Sequence, residues 1–179
     1  TIGTGITVNG PVANPTLPSG FGVYSMAYGN GKYVAVGVAY DASPTTIGAV
    51  SSDGLTWTAT TMPSGRWYGV AYGNNRFVAI GDGTAAAYSS DGVSWTAMTL
   101  PVDQNWSDIA YGAGRFVAVG SGNSGFATTN YATLEDGFIT WTSRTFSSGR
   151  WTGIAYGSAG FVVVSTDGQS QVSSNGTTS

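Results

Sequence analysis

An all-β fold of four repeated, four-stranded antiparallel sheets is predicted by three features of this 179-residue sequence. One phrase recurs four times: MAYGNGKYVAVG (26–37), VAYGNNRFVAIG (70–81), IAYGAGRFVAVG (109–120) and IAYGSAGFVVVS (154–165). A second phrase, SSDGLTW (51–57), returns as SSDGVSW (89–95) and more loosely as EDGFITW (135–141). The composition, with 28 Gly and 13% aromatic residues, is too aromatic for disorder and suits short strands joined by tight turns. The repeat tyrosines stand at 28, 72, 111 and 156, hence 44, 39 and 45 residues apart. Units of about forty residues are the length of a four-stranded propeller blade, so 1–179 is read as a single β-propeller domain.

Each unit divides into four strands. Strand A is a segment such as WYGVAYG (67–73), followed by a Gly/Asn turn that accepts positive φ. Strand B is RFVAIG (76–81), rich in β-branched and aromatic residues. Strand C is AAAYSS (85–90), and Asp91-Gly92 is a strong hairpin signal before strand D, VSWTAMT (93–99). No segment has helical periodicity.

Counting strands gives blades near 23–65, 66–104, 105–149 and 150–179. The last ends in SQVSSNGTTS (170–179), after strand C and its turn, and lacks strand D. Residues 1–22 contain a spare strand: TLPSG (16–20) echoes TMPSG (61–65). That strand is expected to complete the C-terminal blade and close the ring, which hides sheet edges. The alternative is that it completes a blade in a neighbouring molecule. An upstream leader or segment is expected before Thr1.

The repeated Asp-Gly phrase reads as the C-to-D hairpin. Asp53, Asp91 and Asp136 would hold the turns, with Gly54, Gly92 and Gly137 taking positive φ. Trp57, Trp95 and Trp141 then occupy equivalent points in strand D. A buried indole covers ~150–250 Å², so these three are expected to supply much of the packing between sheets. Repetition in every unit suits a scaffold better than one active site.

These same segments resemble the Asp-box turn of neuraminidase-type repeats. The whole unit is similar to propeller repeats of phage tail and secreted bacterial surface proteins. The usual box carries a residue between Asp and Gly, and here the two are adjacent. The resemblance covers about 20–176, is specific for the fold, and implies an extracellular or virion-surface location. Function rests on sites grafted onto the scaffold.

Composition excludes several chemistries. With six Lys plus Arg against nine Asp plus Glu, no basic field exists to hold a nucleic acid. The absence of Cys and His removes disulfides, thiolate metal sites and the Ser-His-Asp triad. No apolar run has membrane-spanning length. No cofactor or metal is expected. GSGNSG (120–125) matches G-x-G-x-x-G, but no helix follows it. Asp41, Asp82 and Asp167 fall in B–C loops without a calcium-loop pattern and read as turn residues. Lys32, Arg76 and Arg115 share one position after the A–B turn and are expected to keep a sheet edge soluble. NWS (105–107) and NGT (175–177) match the glycosylation acceptor pattern.

A–B and C–D turns share one face of such a domain, and the B–C and D–A loops share the other. The latter differ between units, as binding loops do on a fixed scaffold. On that face SGRW (64–67), QNW (104–106) and SGRW (148–151) place Arg66, Trp67, Asn105, Trp106, Arg150 and Trp151. An aromatic ring beside a guanidinium or amide is a workable sugar-binding pair. The competing reading is that these tryptophans pack between blades while Arg66 and Arg150 cover them.

The sequence therefore predicts a non-enzymatic surface-binding module directed to a cell-surface or extracellular glycan. Self-association, or contact with other virion or surface proteins, is also expected. A second expectation is a structural subunit of a virion or fibre built by strand exchange. A third is a neuraminidase-type glycoside hydrolase using Glu135 and Asp136, with Arg66, Arg144 and Arg150 gripping a carboxylate.

Overall fold

The computed structural model describes residues 16–121, 130–145 and 149–177. It is all-β and antiparallel, with thirteen strands. β1 (Phe21–Gly29), β2 (Lys32–Ala39), β3 (Thr45–Ser51) and β4 (Thr58–Gly65) form a four-stranded sheet in that order. β5 (Trp67–Gly73), β6 (Arg76–Ser89), β7 (Thr96–Gly112), β8 (Arg115–Ser121), β9 (Asn130–Glu135) and β10 (Thr142–Thr145) form a six-stranded sheet. β11 (Trp151–Gly157), β12 (Gly160–Ser165) and β13 (Ser170–Ser173) form a three-stranded one.

Four separate sheets of four strands were expected, and the observed division into four, six and three corrects this. The middle sheet holds two repeat units fused. β6 runs from strand B of the second unit through its strand C. β7 runs from strand D of that unit into strand A of the third. Its first part pairs with β6 (Ala85↔Thr99 to Tyr88↔Thr96), and its second with β8 (Trp106↔Gly120 to Gly112↔Arg115). The physical cause is at the joint, where Asp82 pairs with Asn105 and Gly83 with Gln104. Those two pairs zip the B–C loop to the D–A connection, and neither strand has to break.

The expected closure is also corrected: among the described residues the sheets do not close into a ring. The fourth unit has three strands, and β13 has no partner on its outer edge among the described residues. Residues 1–15, which carry most of the expected closing strand, lie outside the described residues. Of the described part, Leu17 packs on the first sheet beside Phe21, Ala35 and Ala49.

Three apolar clusters lie between successive units. Val34, Val36 and Met62 of the first unit meet Trp67, Val70 and Phe77 of the second. Val78 and Ile80 of the second meet Trp106, Ile109 and Phe116 of the third. Val117, Val119 and Tyr131 of the third meet Trp151, Ile154 and Phe161 of the fourth. The wedge in every case is the tryptophan that opens strand A, buried to 1% or less at 67, 106 and 151. Trp57, Trp95 and Trp141, expected to supply much of the packing between sheets, share in it unequally: Trp141 belongs to the cluster between the second and third units, Trp95 packs against the one between the first and second, and Trp57 packs on the first sheet. Trp57 and Trp95 are half-buried at the outer strands, and only Trp141 is buried. Strand D lies at a sheet edge, where one side of the ring stays open to water.

Glycine makes the same junction tight. A Cβ on Gly29 would fall inside the ring of Tyr72, one on Gly73 inside Tyr111, and one on Gly112 inside Tyr156. Each Tyr-Gly pair thus packs its glycine beneath the tyrosine of the following unit, where any larger residue would clash.

Candidate functional site

The C–D hairpins build themselves from their own side chains. Asp53 Oδ1 accepts hydrogen bonds from the N–H groups of Leu55 (2.8 Å) and Thr56 (2.7 Å) and from Ser51 Oγ (3.0 Å). Ser51 Oγ accepts from the N–H groups of Asp53 and Gly54, and Trp57 Nε1 donates to Gly54 O. The set repeats around Ser89, Asp91, Gly92 and Trp95. Backbone N–H donors hold the carboxyls of Asp53 and Asp91 down to a pKa of about 2. Gly54, Gly92 and Gly137 take φ of 71°, 74° and 81°. In the fourth unit Asn175 stands in for Asp and accepts from Thr177 N–H at 3.0 Å.

The third hairpin differs. Asp136 Oδ2 accepts from Tyr111 O–H at 2.8 Å, and Glu135 pairs with Arg115 at 3.1 Å. Burial, followed by that bond to Asp136, pushes the Tyr111 phenol up to about 12. Both acids of the hydrolase alternative are thus engaged in structural contacts. Arg144 Nε donates to Thr133 Oγ1 on the neighbouring strand. Lys32 and Arg76 have a role beyond solubility: Lys32 Nζ donates to Asp91 O at 3.0 Å, and Arg76 to Phe138 O at 3.0 Å. Each basic residue clasps the hairpin of the next unit.

On the opposite face, the D–A and B–C loops of one unit stack together. Asp82 N–H donates to Arg66 O, and Thr166 N–H to Arg150 O. Arg66 pairs with Asp82 at 3.3 Å, and Asp167 accepts from the Arg150 N–H at 3.2 Å. Asn105 is exposed and pairs across to Asp82 in the sheet register. The indoles of Trp67, Trp106 and Trp151 are buried and offer no ring face to a sugar. Their stacking role falls away because they wedge the units apart, which leaves the polar members Arg66, Asn105 and Arg150 on the surface.

The structure supplies aromatic rings at positions that sequence reasoning passed over. Tyr24 is 62% exposed and meets Tyr68 edge-to-face, with centroids 5.3 Å apart. Tyr40, the most exposed large apolar residue described at 77%, lies beside Gly22. Burial first, and then the charge of Asp82, raises the Tyr68 pKa, while Arg66 acts against this. Asp41 is held low by the Ser43 hydroxyl and N–H, with Arg66 adding a smaller pull. Tyr24 and Tyr68 with Arg66, Asp82 and Asp41 therefore form one partly exposed aromatic and ionic cluster, with Tyr40 next to Asp41 in the chain. The signal was in the repeat itself. The bulged residue of strand A is Tyr24, Tyr68, Ser107 and Thr152 in the four units, so only the first two units carry an aromatic ring there. No group of three or more metal-ligating acids occurs among the described residues. GSGNSG lies partly outside them.

No family model matches the chain, and no curated protein matches it significantly. Solved structures do. One described as YCF48 bound to D1 peptide has a TM-score of 0.60 at 19% identity, over 84% of this chain and 50% of that one. Another, the computationally designed Ika4 protein, has a TM-score of 0.60 at 13% identity, over 85% of this chain and 90% of that one. The chain spans about half the length of the YCF48 structure it matches. These likenesses place its fold with the β-propellers and give the Asp-box family no support.

Proposed function

We propose that the chain is a non-enzymatic, surface-binding module of β-propeller fold that takes a glycan at the Tyr24–Tyr68 cluster, outside the cell or on a virion. The observation that carries this reading is the exposed Tyr24 ring set against half-buried Tyr68 and rimmed by the Arg66–Asp82 ion pair. Tyrosine rings stack on the C–H faces of a pyranose, and a guanidinium and carboxylate side by side can bind neighbouring hydroxyls. The cluster sits where the B–C and D–A loops of the first two units meet, so a rigid scaffold presents it. The test is a glycan array followed by calorimetry with the best binder. Tyr24→Ala and Arg66→Ala should each weaken binding about tenfold or more with the β-sheet circular dichroism unchanged, as expected for a desolvated stacking or charged contact. Binding that survives the Tyr24→Ala/Tyr68→Ala pair removes the proposal.

A second reading, a structural subunit joined by strand exchange, is favoured by the position of β13 as the last strand of its sheet among the described residues. Beside it lies a small apolar cavity lined by Val117, Tyr131, Phe161, Val172 and Gly176. An extended segment such as 5–20, from the same molecule or another, would satisfy that edge. Deleting residues 1–20 should then abolish assembly or lower stability, and an unchanged mass and melting point would exclude both versions.

A further inference from the structure

Corresponding positions in the four units are buried or exposed according to whether they have a neighbouring unit. In strand A, Val70 is 5% exposed, Ile109 5% and Ile154 8%, whereas Met26 of the first unit is 56% exposed. In strand B, Val36, Ile80 and Val119 are 0% exposed, whereas Val164 of the fourth is 48% exposed. Tyr28, whose counterparts cap the glycines of preceding units, is 59% exposed. Gly157, whose counterparts lie beneath tyrosines, has nothing within 4 Å of where a Cβ would stand. The two ends of the stack are thus the two halves of the internal junction: Met26 and Tyr28 on one, Val164 and Gly157 on the other. Both face water in the single chain.

We infer that a second copy of this chain covers these faces, two copies joining head to tail into one closed ring. Three observations select a second copy. The faces are continuous with an interface the chain makes three times internally, so the complementarity already exists in this sequence. They are kept apart within one molecule, because among the described residues the four units do not close on themselves. The chain also covers half of one longer propeller-like chain and nine-tenths of another, so an arc of this size is compatible with part of a larger circuit. The contact is heterologous, end to start, and a rotation that closes gives a ring with two equivalent junctions. The new junction is plainer than the internal ones. Val23 stands where the others have tryptophan, and Gly160 where they have Lys or Arg. A reversible pair is therefore expected. The inference is independent of any ligand.

Light scattering coupled to size exclusion tests it on the 179-residue chain. The expected mass is twice 18.2 kDa. Met26→Lys and Val164→Asp each place a charge on one exposed face and should each give monomers that keep the β-sheet spectrum. Mixing the two should restore the two-copy mass, because the mixed ring has one native junction and one that opposes the introduced lysine to the introduced aspartate. A wild-type monomer at high micromolar concentration overturns the inference. So does an open series of larger masses, which would leave strand exchange standing, or a mixture that stays monomeric. Glycan binding is measured separately, so its failure is distinguishable from failure of the ring.

Discussion

The second unit and the fourth are written in nearly the same words and live in different surroundings. In the second, Ile80 and Val78 are sealed beneath the third unit, Gly73 is roofed by Tyr111, and Arg76 clasps the following hairpin. In the fourth, Val164 is half exposed, Gly157 is uncovered, and Gly160 replaces the clasp. Burial here belongs to the junction between units, and a unit alone cannot hide its own strand-A and strand-B faces. That is the behaviour of a stacked array, whose stability is a sum of unit and nearest-neighbour contributions.

The most severe way to break the comparison is to remove a wedge. Trp106 is 1% exposed, and its Nε1 donates to Gly83 O at 3.1 Å and to Val102 O at 3.3 Å. Trp106→Ala should cost about 3–5 kcal/mol, the range for emptying a large aromatic site, with the two orphaned carbonyls keeping it at the upper end. Half-buried Trp95 should cost roughly half as much, and Val23→Ala, at the uncovered counterpart of the wedge, about 0.5 kcal/mol or less. Urea unfolding of the three variants measures the order. Equal losses for Trp95 and Trp106 would mean that the hairpin tryptophans carry as much of the junction as the strand-A set.

A smaller intrusion separates interior from end more sharply, because the same substitution is made twice. Gly73→Ala drives a methyl into the Tyr111 ring and should cost about 1–3 kcal/mol, the usual range for overpacking. Gly157→Ala meets empty space and should be within about 0.5 kcal/mol of neutral in the monomeric Met26→Lys background. In the unmodified chain it should instead lower the two-copy population. Thermal melts and light scattering report the two effects independently.

How much of this was legible beforehand follows from what repeats and what does not. Strand positions, hairpins and unit boundaries were readable because Tyr-Gly, Asp-Gly and the B-strand valines recur at fixed offsets, each tied to a local geometric need. The fusion of the second and third units was not readable, because it depends on a pairing between Asp82–Gly83 and Gln104–Asn105 that has no sequence periodicity. Both sets of tryptophans repeat equally well, so repetition alone could not say which set lies between sheets. The bulge that follows Trp67, Trp106 and Trp151 decides it by turning those rings inward. The candidate site was hidden for the opposite reason. Tyr24, Tyr40 and Tyr68 do not recur in all four units, whereas the recurring tryptophans belong to the scaffold.

The hairpins come next in size. Asp91 sits in an interior position: Lys32 donates to its carbonyl, and a Cβ on Gly92 would press on Val34 of the first unit. Asp53 has the same local bonds, and a Cβ on its Gly54 would meet only Tyr33 of its own unit. Asp91→Ala and Asp53→Ala lose the same side-chain bonds, and Lys32 keeps its main-chain partner, but loosening the Asp91 turn also disturbs its seat on the first unit, so Asp91→Ala should cost on the order of 1 kcal/mol and Asp53→Ala measurably less. A larger loss at Asp53 would show that the turn is held locally and that the clasp from Lys32 adds nothing.

The gentlest probe is pH, and here interior and hairpin carboxyls have opposite signs. Asp53 and Asp91 have folded values of about 2, below the ordinary 3.8, so folding favours their ionised form. Their contribution is fully present above about pH 4 and is lost as pH falls toward 2. Asp108 lies at the junction of the third and fourth units, and its Oδ2 accepts from Ile154 N–H at 2.9 Å. Its pKa is nevertheless raised, because burial outweighs that bond and the one from its own neighbour Ile109. Folding therefore favours the protonated acid, and its contribution, present below 3.8, fades as pH rises through the raised value. Stability measured from pH 7 downward should first rise slightly and then fall. Asp108→Asn should remove the rise and leave the fall, and Asp53→Asn/Asp91→Asn should remove the fall and leave the rise. A wild-type profile that declines monotonically from neutrality would mean that Asp108 is solvated, and with it that the third junction is less dry than its neighbours Val119 and Trp151 imply.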